Sequence, residues 1–149
     1  MMRAMWDASH PRCKSCPRTG VTGTGGVGSE SRTLQTSATT LNASSGNGIF
    51  IDDSHTAGVT LASVVASGGS IAVSSAGPMT ATLVQATADG NYANLTTTSG
   101  DLTVTSVTSG TSSGSVTLQS AGAILASGSG THVTADSLWL NAGGNVGEV

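Results

Sequence analysis

The segment Gly114–Leu118, Gly-Ser-Val-Thr-Leu, is one copy of a pattern that recurs about every 22 residues through most of the chain. In this pattern an apolar triplet follows glycine or another small residue. Its copies, separated by 22, 24, 21 and 22 residues, predict a solenoid in which each unit buries its apolar face by stacking on the next. The copies lie at Ile49, Ile71, Leu95, Val116 and Leu138. A second apolar series runs between them, at Val59, Leu83, Leu102, Ile124 and Val146.

Short strand signals alternate with turn signals from Thr33 onward. Leu102-Thr103-Val104 and Val116-Thr117-Leu118 alternate apolar and polar residues, which points one face inward. Glycine, asparagine and aspartate, which tolerate positive φ, lie between the strand signals. An antiparallel sandwich or barrel would also fit many short strands. The 22-residue recurrence favours an all-β fold, a parallel β-helix of about five coils spaced about 4.8 Å apart. We predict essentially no α-helix.

The composition of residues 33–149 agrees with tightly stacked coils. These 117 residues include 70 Gly, Ala, Ser and Thr, and 25 Leu, Val and Ile. Small residues allow close stacking, and β-branched residues suit a pleated surface. Aromatic residues make up only 3% of the chain, which argues against a globular core built on large rings.

Charge divides the chain sharply. All basic residues lie in the first 32 positions, so residues 33–149 carry about −6 and the first 32 carry about +3. A body without Lys or Arg is a poor partner for nucleic acid or anionic membranes. We expect no transmembrane segment, since no run of about 20 apolar residues occurs, and no signal peptide is visible. The basic residues are Arg3, Arg12, Lys14, Arg18 and Arg32.

The sequence therefore divides into a tail at residues 1–32 and a repeat segment at residues 33–149. The tail is basic and rich in glycine, and we predict that it is disordered. The tail contains His10, Cys13 and Cys16, three potential zinc ligands. Structural zinc needs four ligands and no second pair of cysteines exists, so we predict free thiols and no metal. The role of the Cys13/Cys16 pair stays open.

Four segments carry a resemblance to a known family: residues 37–51, Gly-Asp-Leu-Thr-Val at 100–104, Gly-Ser-Val-Thr-Leu at 114–118, and Ala-Asp-Ser-Leu-Trp-Leu-Asn-Ala-Gly-Gly-Asn-Val-Gly at 135–147. They resemble repeats of the large filamentous-haemagglutinin-like exoproteins of Gram-negative bacteria, and similar repeats occur in autotransporter passengers. The resemblance covers residues 33–149. It implies a right-handed parallel β-helix, export to the cell surface or medium, and a role in adhesion.

The resemblance and the repeat together predict a structural or adhesive segment, a stalk or multivalent surface that binds glycans, proteins or adjacent repeats. Because the chain lacks the family's amino-terminal secretion domain and stops within a repeat, we expect a fragment with open, aggregation-prone ends. Two alternatives remain: a carbohydrate-active β-helix enzyme domain and a non-functional fragment of a larger gene. We predict no enzymatic activity and no cofactor.

The densest polar cluster of the repeat segment is Asp52-Asp53-Ser54-His55. Paired carboxylates with a histidine can catalyse hydrolysis or bind metal. Adjacent residues of a strand point to opposite faces, so we predict an exposed turn rather than a site. Without Lys or Arg in residues 33–149, a polyuronate lyase would also lack a cation for its substrate carboxylate.

Trp139 is the best single candidate for a ligand contact. It lies between Leu138 and Leu140, so alternation places it on the solvent face if the leucines face the core. Thr-x-Thr pairs at 80–82, 96–98 and 103–105 suggest an ice-binding array. Their spacings of 16 and 7 residues do not match one coil, so we predict ordinary outward threonines.

Overall fold

The computed structural model describes residues 19–110 and 112–147, and this part of the chain contains strands but no helix. The predictions for residues 1–18, including the Cys13/Cys16 pair, lie outside the described residues. The strands are β1 Thr19–Gly23, β2 Leu34–Thr36, β3 Thr40–Ser45, β4 Ile49–Asp53, β5 Val59–Ala66, β6 Ile71–Ser75, β7 Met79–Ala81, β8 Val84–Ala86, β9 Tyr92–Thr97, β10 Leu102–Val104, β11 Val107–Ser109, β12 Ser115–Ser120, β13 Ile124–Ala126, β14 Val133–Thr134, β15 Ser137–Ala142 and β16 Val146–Gly147.

The strands form a parallel β-solenoid of about six turns, which confirms the predicted fold class with one more turn than expected. One sheet has the order β15-β12-β9-β6-β4-β2. The larger sheet has the order β14-β11-β8-β5-β7-β10-β13-β16, with β3 paired to β5 and β1. The two halves of β5 pair with β7 and β8, so this sheet divides into two. Later coils therefore pass through three strand positions per turn.

The strand register differs from the predicted repeat at two positions. Ile71 pairs with Ala93 rather than Leu95, which lies two residues further along the strand and pairs with Val73. In the second series, Val59 pairs with Met79 rather than Leu83. Each strand has two or more inward positions that accept apolar residues, so spacing alone could not select the correct one.

The core consists of stacked inward columns of aliphatic side chains. Each inward residue covers the equivalent residue of the coil before it, which removes both from water. Alternation along the strands is strict in β6 and β9, where buried and partly exposed residues follow one another. The largest fully buried side chains are Leu41, Ile49, Ile51, Leu61, Ile71, Met79, Leu95, Leu102, Leu118, Val64, Val73 and Val84.

At the amino-terminal end, the solenoid begins ahead of the predicted boundary at residue 33. Strand β1 pairs in parallel with β3, from Thr19 opposite Leu41 to Gly23 opposite Ser45. Val27 bridges to Ile49 and is only 4% exposed. Composition suggested a linker because this segment has many glycines. Strand pairing needs only backbone N–H and C=O groups, and glycine supplies both.

The carboxy-terminal coil is open among the described residues. Leu138 and Leu140 occupy inward columns that are buried in the preceding coils, yet they are 47% and 43% exposed. Val146 ends a third inward column and is 54% exposed. These side chains line an apolar depression together with Leu118 and Ile124.

Candidate functional site

Asp52 and Asp53, the predicted polar cluster, do not form one site. Asp53 is 1% exposed and its Oδ2 accepts hydrogen bonds from Thr36 Oγ1 at 2.6 Å and Ala38 N at 2.9 Å. Its Oδ1 accepts one from His55 N at 2.9 Å. The prediction of an exposed turn was therefore wrong for Asp53, because this carboxylate is enclosed as the acceptor for backbone N–H groups at the end of β4.

Asp52 lies on the outer face of the same strand, as alternation predicted. Its Oδ2 accepts a hydrogen bond from Gln35 Nε2 at 3.0 Å, and its Oδ1 accepts one from Ser74 Oγ at 2.5 Å. These three residues belong to one outward column of the six-stranded sheet, so each contacts the next across neighbouring coils. We call this the Asp52 column; its members are Gln35, Asp52, Ser74, Thr96, Gln119 and Asn141.

Small polar residues fill one corner of the interior next to Asp53. Its inward column continues with Ser75, Thr97 and Ser120, all nearly inaccessible to solvent. Thr97 Oγ1 and Ser120 Oγ both donate to the carbonyl oxygen of Gly100, at 3.1 and 3.0 Å. These hydroxyls form hydrogen bonds with backbone groups where the chain leaves the sheet. The polar corner therefore stabilises the turns rather than forming a ligand site.

The Tyr92 hydroxyl connects the amino-terminal coil to the middle of the solenoid. It donates a hydrogen bond of 2.5 Å to Glu30 Oε1, across 62 residues of sequence. Burial raises the pKa of Tyr92 to about 12, and the hydrogen bond to Glu30 and the negative charge of that carboxylate act in the same direction. Sequence spacing gave no signal for this pair, because Glu30 lies in a turn outside the repeat.

The outer face of the six-stranded sheet contains a shallow depression of about 110 Å³. Thr33, Ala72, Ser74, Asn94 and Thr96 contribute to its lining. The Oδ1 atom of Asn94 is buried there and has no hydrogen-bond partner within the described ranges.

Trp139, the predicted ligand contact, projects from the outer face of β15 and is 75% exposed. Its position belongs to a second outward column, which we call the Trp139 column. The neighbouring positions toward the amino terminus hold Thr117 and Asn94. The full column is Phe50, Ala72, Asn94, Thr117 and Trp139.

Two of the Thr-x-Thr pairs lie on neighbouring coils, contrary to the spacing argument. Thr80 pairs with Thr103 in the register of β7 and β10, and the same column includes Thr60 and Thr40. Leu125 replaces threonine in the next coil. The spacings of 16 and 7 residues compare consecutive pairs only, whereas the first and third pairs lie 23 residues apart, which is the length of one coil here.

Across residues 19–110 and 112–147, no group of three or more His, Cys, Asp or Glu side chains is placed to hold a metal ion. The same residues contain no helix that is long and apolar enough to cross a membrane. The described residues form a repetitive β-solenoid whose Asp52 column is hydrogen-bonded at Gln35, Asp52 and Ser74.

Comparisons with protein-family models, with curated proteins and with solved structures found no match to this chain. The parallel pairing of its strands places the chain among the β-solenoid repeat proteins.

Proposed function

We propose that this chain is a structural and adhesive repeat segment of a bacterial surface or secreted exoprotein. The single observation that carries the proposal is the unbroken stack of parallel coils, about six turns long. Such a stack is a rigid, extended body whose stability comes from neighbour-to-neighbour packing. It can act as a stalk or as a lateral binding surface.

The outward columns support the adhesive part of the proposal. The Asp52 column presents hydroxyl, amide or carboxylate groups in all of its coils, at the spacing of about 4.8 Å between neighbouring strands. Repeated equivalent groups favour many weak contacts, which together give high avidity. The partners in this proposal are surface glycans or proteins, or adjacent repeats of a longer chain.

The environment of the acidic residues supports a role without catalysis. Asp52 and Asp53 diverge to opposite faces, and the carboxylate of Asp53 accepts three hydrogen bonds from its own chain. A glycosidase needs two carboxylates that flank one bond. The lack of Lys and Arg in residues 33–149 equally disfavours nucleic acid as a partner.

The location of the protein is testable with antibodies raised against the folded chain. Intact source cells, permeabilised cells and culture medium are probed in parallel. We expect label on intact cells or in the medium, and purified chain should inhibit attachment of the cells to coated surfaces. Label that requires permeabilisation would overturn the proposal. Absence of the chain from all fractions would also overturn it and would favour a gene remnant.

A further inference from the structure

The exposure of Trp139 has a different origin from that of its neighbours. Leu138 and Leu140 occupy inward columns and are exposed because no further coil of residues 19–147 lies on them. Trp139 occupies an outward column, whose members in the preceding coils also face away from the core. An additional coil would cover the two leucines but would leave the indole ring on the outer face.

The pairing of β12 with β15 places five polar side chains around Trp139. None of them makes a side-chain hydrogen bond to the described part of the protein, whereas Gln35, Asp52 and Ser74 are hydrogen-bonded to one another. Their donors and acceptors therefore remain free for a ligand. Together with the indole they form what we call the Trp139 surface: Ser115, Thr117, Gln119, Ser137, Trp139 and Asn141.

The Trp139 surface is electrically neutral. Residues 102–147 contain a single charged side chain, Asp136, and no Lys or Arg. Phosphate, sulfate and carboxylate ligands are normally held by Arg or Lys, so this surface does not select an anion. Hydroxyl and amide groups are donors and acceptors at once, which suits a partner that is itself rich in hydroxyl groups.

We propose that the Trp139 surface binds a neutral oligosaccharide. The indole ring packs against the apolar C–H face of one sugar ring, while the surrounding hydroxyls and amides bond to the sugar hydroxyls. An exposed tryptophan supplies large contact area at low entropic cost. The spacing of about 4.8 Å between strands and about 6.6 Å between alternate residues is comparable with the width of a sugar ring. This inference deepens the adhesive role proposed above and rests on it.

A polypeptide partner would depend on other features of this end. An extended peptide adds to an open sheet edge through backbone hydrogen bonds, with side chains in apolar pockets. The edge of β15, Leu138 and Leu140 provide these contacts, and they persist when the indole is removed. Substitution of Trp139 consequently separates glycan binding from peptide binding.

The test uses the full 149-residue chain on an array of neutral and acidic oligosaccharides, followed by calorimetric titration with the best neutral one. We expect binding to neutral glycans, weakened about tenfold or more by Trp139→Ala and less by Trp139→Phe. Phe50→Ala is the matched control, since Phe50 is an aromatic residue of the same outward column. It should leave the affinity unchanged. Circular dichroism verifies that each variant is folded.

The inference is overturned if no neutral glycan binds, if acidic glycans alone bind, or if Trp139→Ala binds as tightly as the parent chain. Cells that carry the chain on their surface and attach without neutral glycan binding would leave the proposed function intact and remove this inference. Glycan binding by a chain confined to the cell interior would support this inference and overturn the proposed function.

Discussion

Asp52 and Asp53 are consecutive in β4, but their carboxylates lie on opposite sides of the sheet. The Asp53 carboxylate is enclosed in the polar corner, with Ala38 N 2.9 Å from its Oδ2. The Asp52 carboxylate lies on the outer face, hydrogen-bonded to Gln35 and Ser74. Asp53 stabilises the chain where it leaves the sheet, and Asp52 links three coils at the surface.

Asp53→Ala should lower the free energy of unfolding by about 3 kcal/mol, because it leaves the N–H group of buried Ala38 and that of His55 without their acceptor. Asp52→Ala is the matched control and should cost about 1 kcal/mol or less, since water replaces its partners. Urea unfolding followed by circular dichroism measures both. Equal losses for the two variants would contradict the assignment of Asp53 to a buried structural role.

Tyr92 should ionise with a pKa near 12, which absorbance titration measures without interference because the chain has one tyrosine. Burial of the hydroxyl is the largest cause of the raised pKa, so Glu30→Gln should lower this pKa only in part, by removing the negative charge beside the hydroxyl. The folded pKa exceeds the unfolded one, so the contribution of Tyr92 to stability is complete below about pH 10 and is lost as pH rises to about 12. Tyr92→Phe should abolish this loss. A pKa near 10 in the parent chain would contradict the burial of the hydroxyl, and an unchanged pKa in Glu30→Gln would contradict its contact with Glu30.

Gly69→Ala should destabilise the solenoid by about 2 kcal/mol. A Cβ atom at this position would lie 2.4 Å from the amide nitrogen of Gly48 and 2.7 Å from the carbonyl carbon of Asn47, both backbone atoms of the preceding coil. Gly25→Ala is the control, because a Cβ atom there would have no other atom within 4 Å and the change should stay within about 0.5 kcal/mol. Thermal unfolding compares the pair, and similar midpoints would contradict the close approach of these coils.

Leu140→Lys should reduce self-association of the 149-residue chain. A charged side chain at an inward position of an open edge is one way in which proteins prevent strand addition. Thr103→Lys adds the same charge at an outward position of an internal strand, so it should leave association unchanged. Sedimentation velocity over a range of concentrations measures the difference. Identical behaviour of the two variants would show that the β15 edge does not drive association.

The parallel stacking and the inward face of several strands could be predicted from the sequence, since alternation at Leu102-Thr103-Val104 and the 22-residue period both appear in the residue order. The exact register could not. Ala93 lies in the column predicted for Leu95, and Met79 in the column predicted for Leu83. Several apolar residues per coil satisfy the same period, and only the hydrogen-bonded stack selects among them.

The candidate site was likewise predictable only in part from the sequence. The outward orientation of Trp139 followed from its two leucine neighbours, because alternation is local. The Tyr92–Glu30 contact and the stacking of Thr80 on Thr103 depend on which coils become neighbours. Glu30 lies outside the repeat, so its separation of 62 residues from Tyr92 gives no signal of their contact.

By itself the sequence determined a parallel β-solenoid, because a repeated pattern of small, polar and β-branched residues buries apolar surface only by stacking copies. The tertiary structure alone decided that β1 joins the stack, that Asp53 is buried while Asp52 is not, and that the last described coil is open. These outcomes depend on contacts between coils, where backbone pairing and enclosure from water are settled by distant residues.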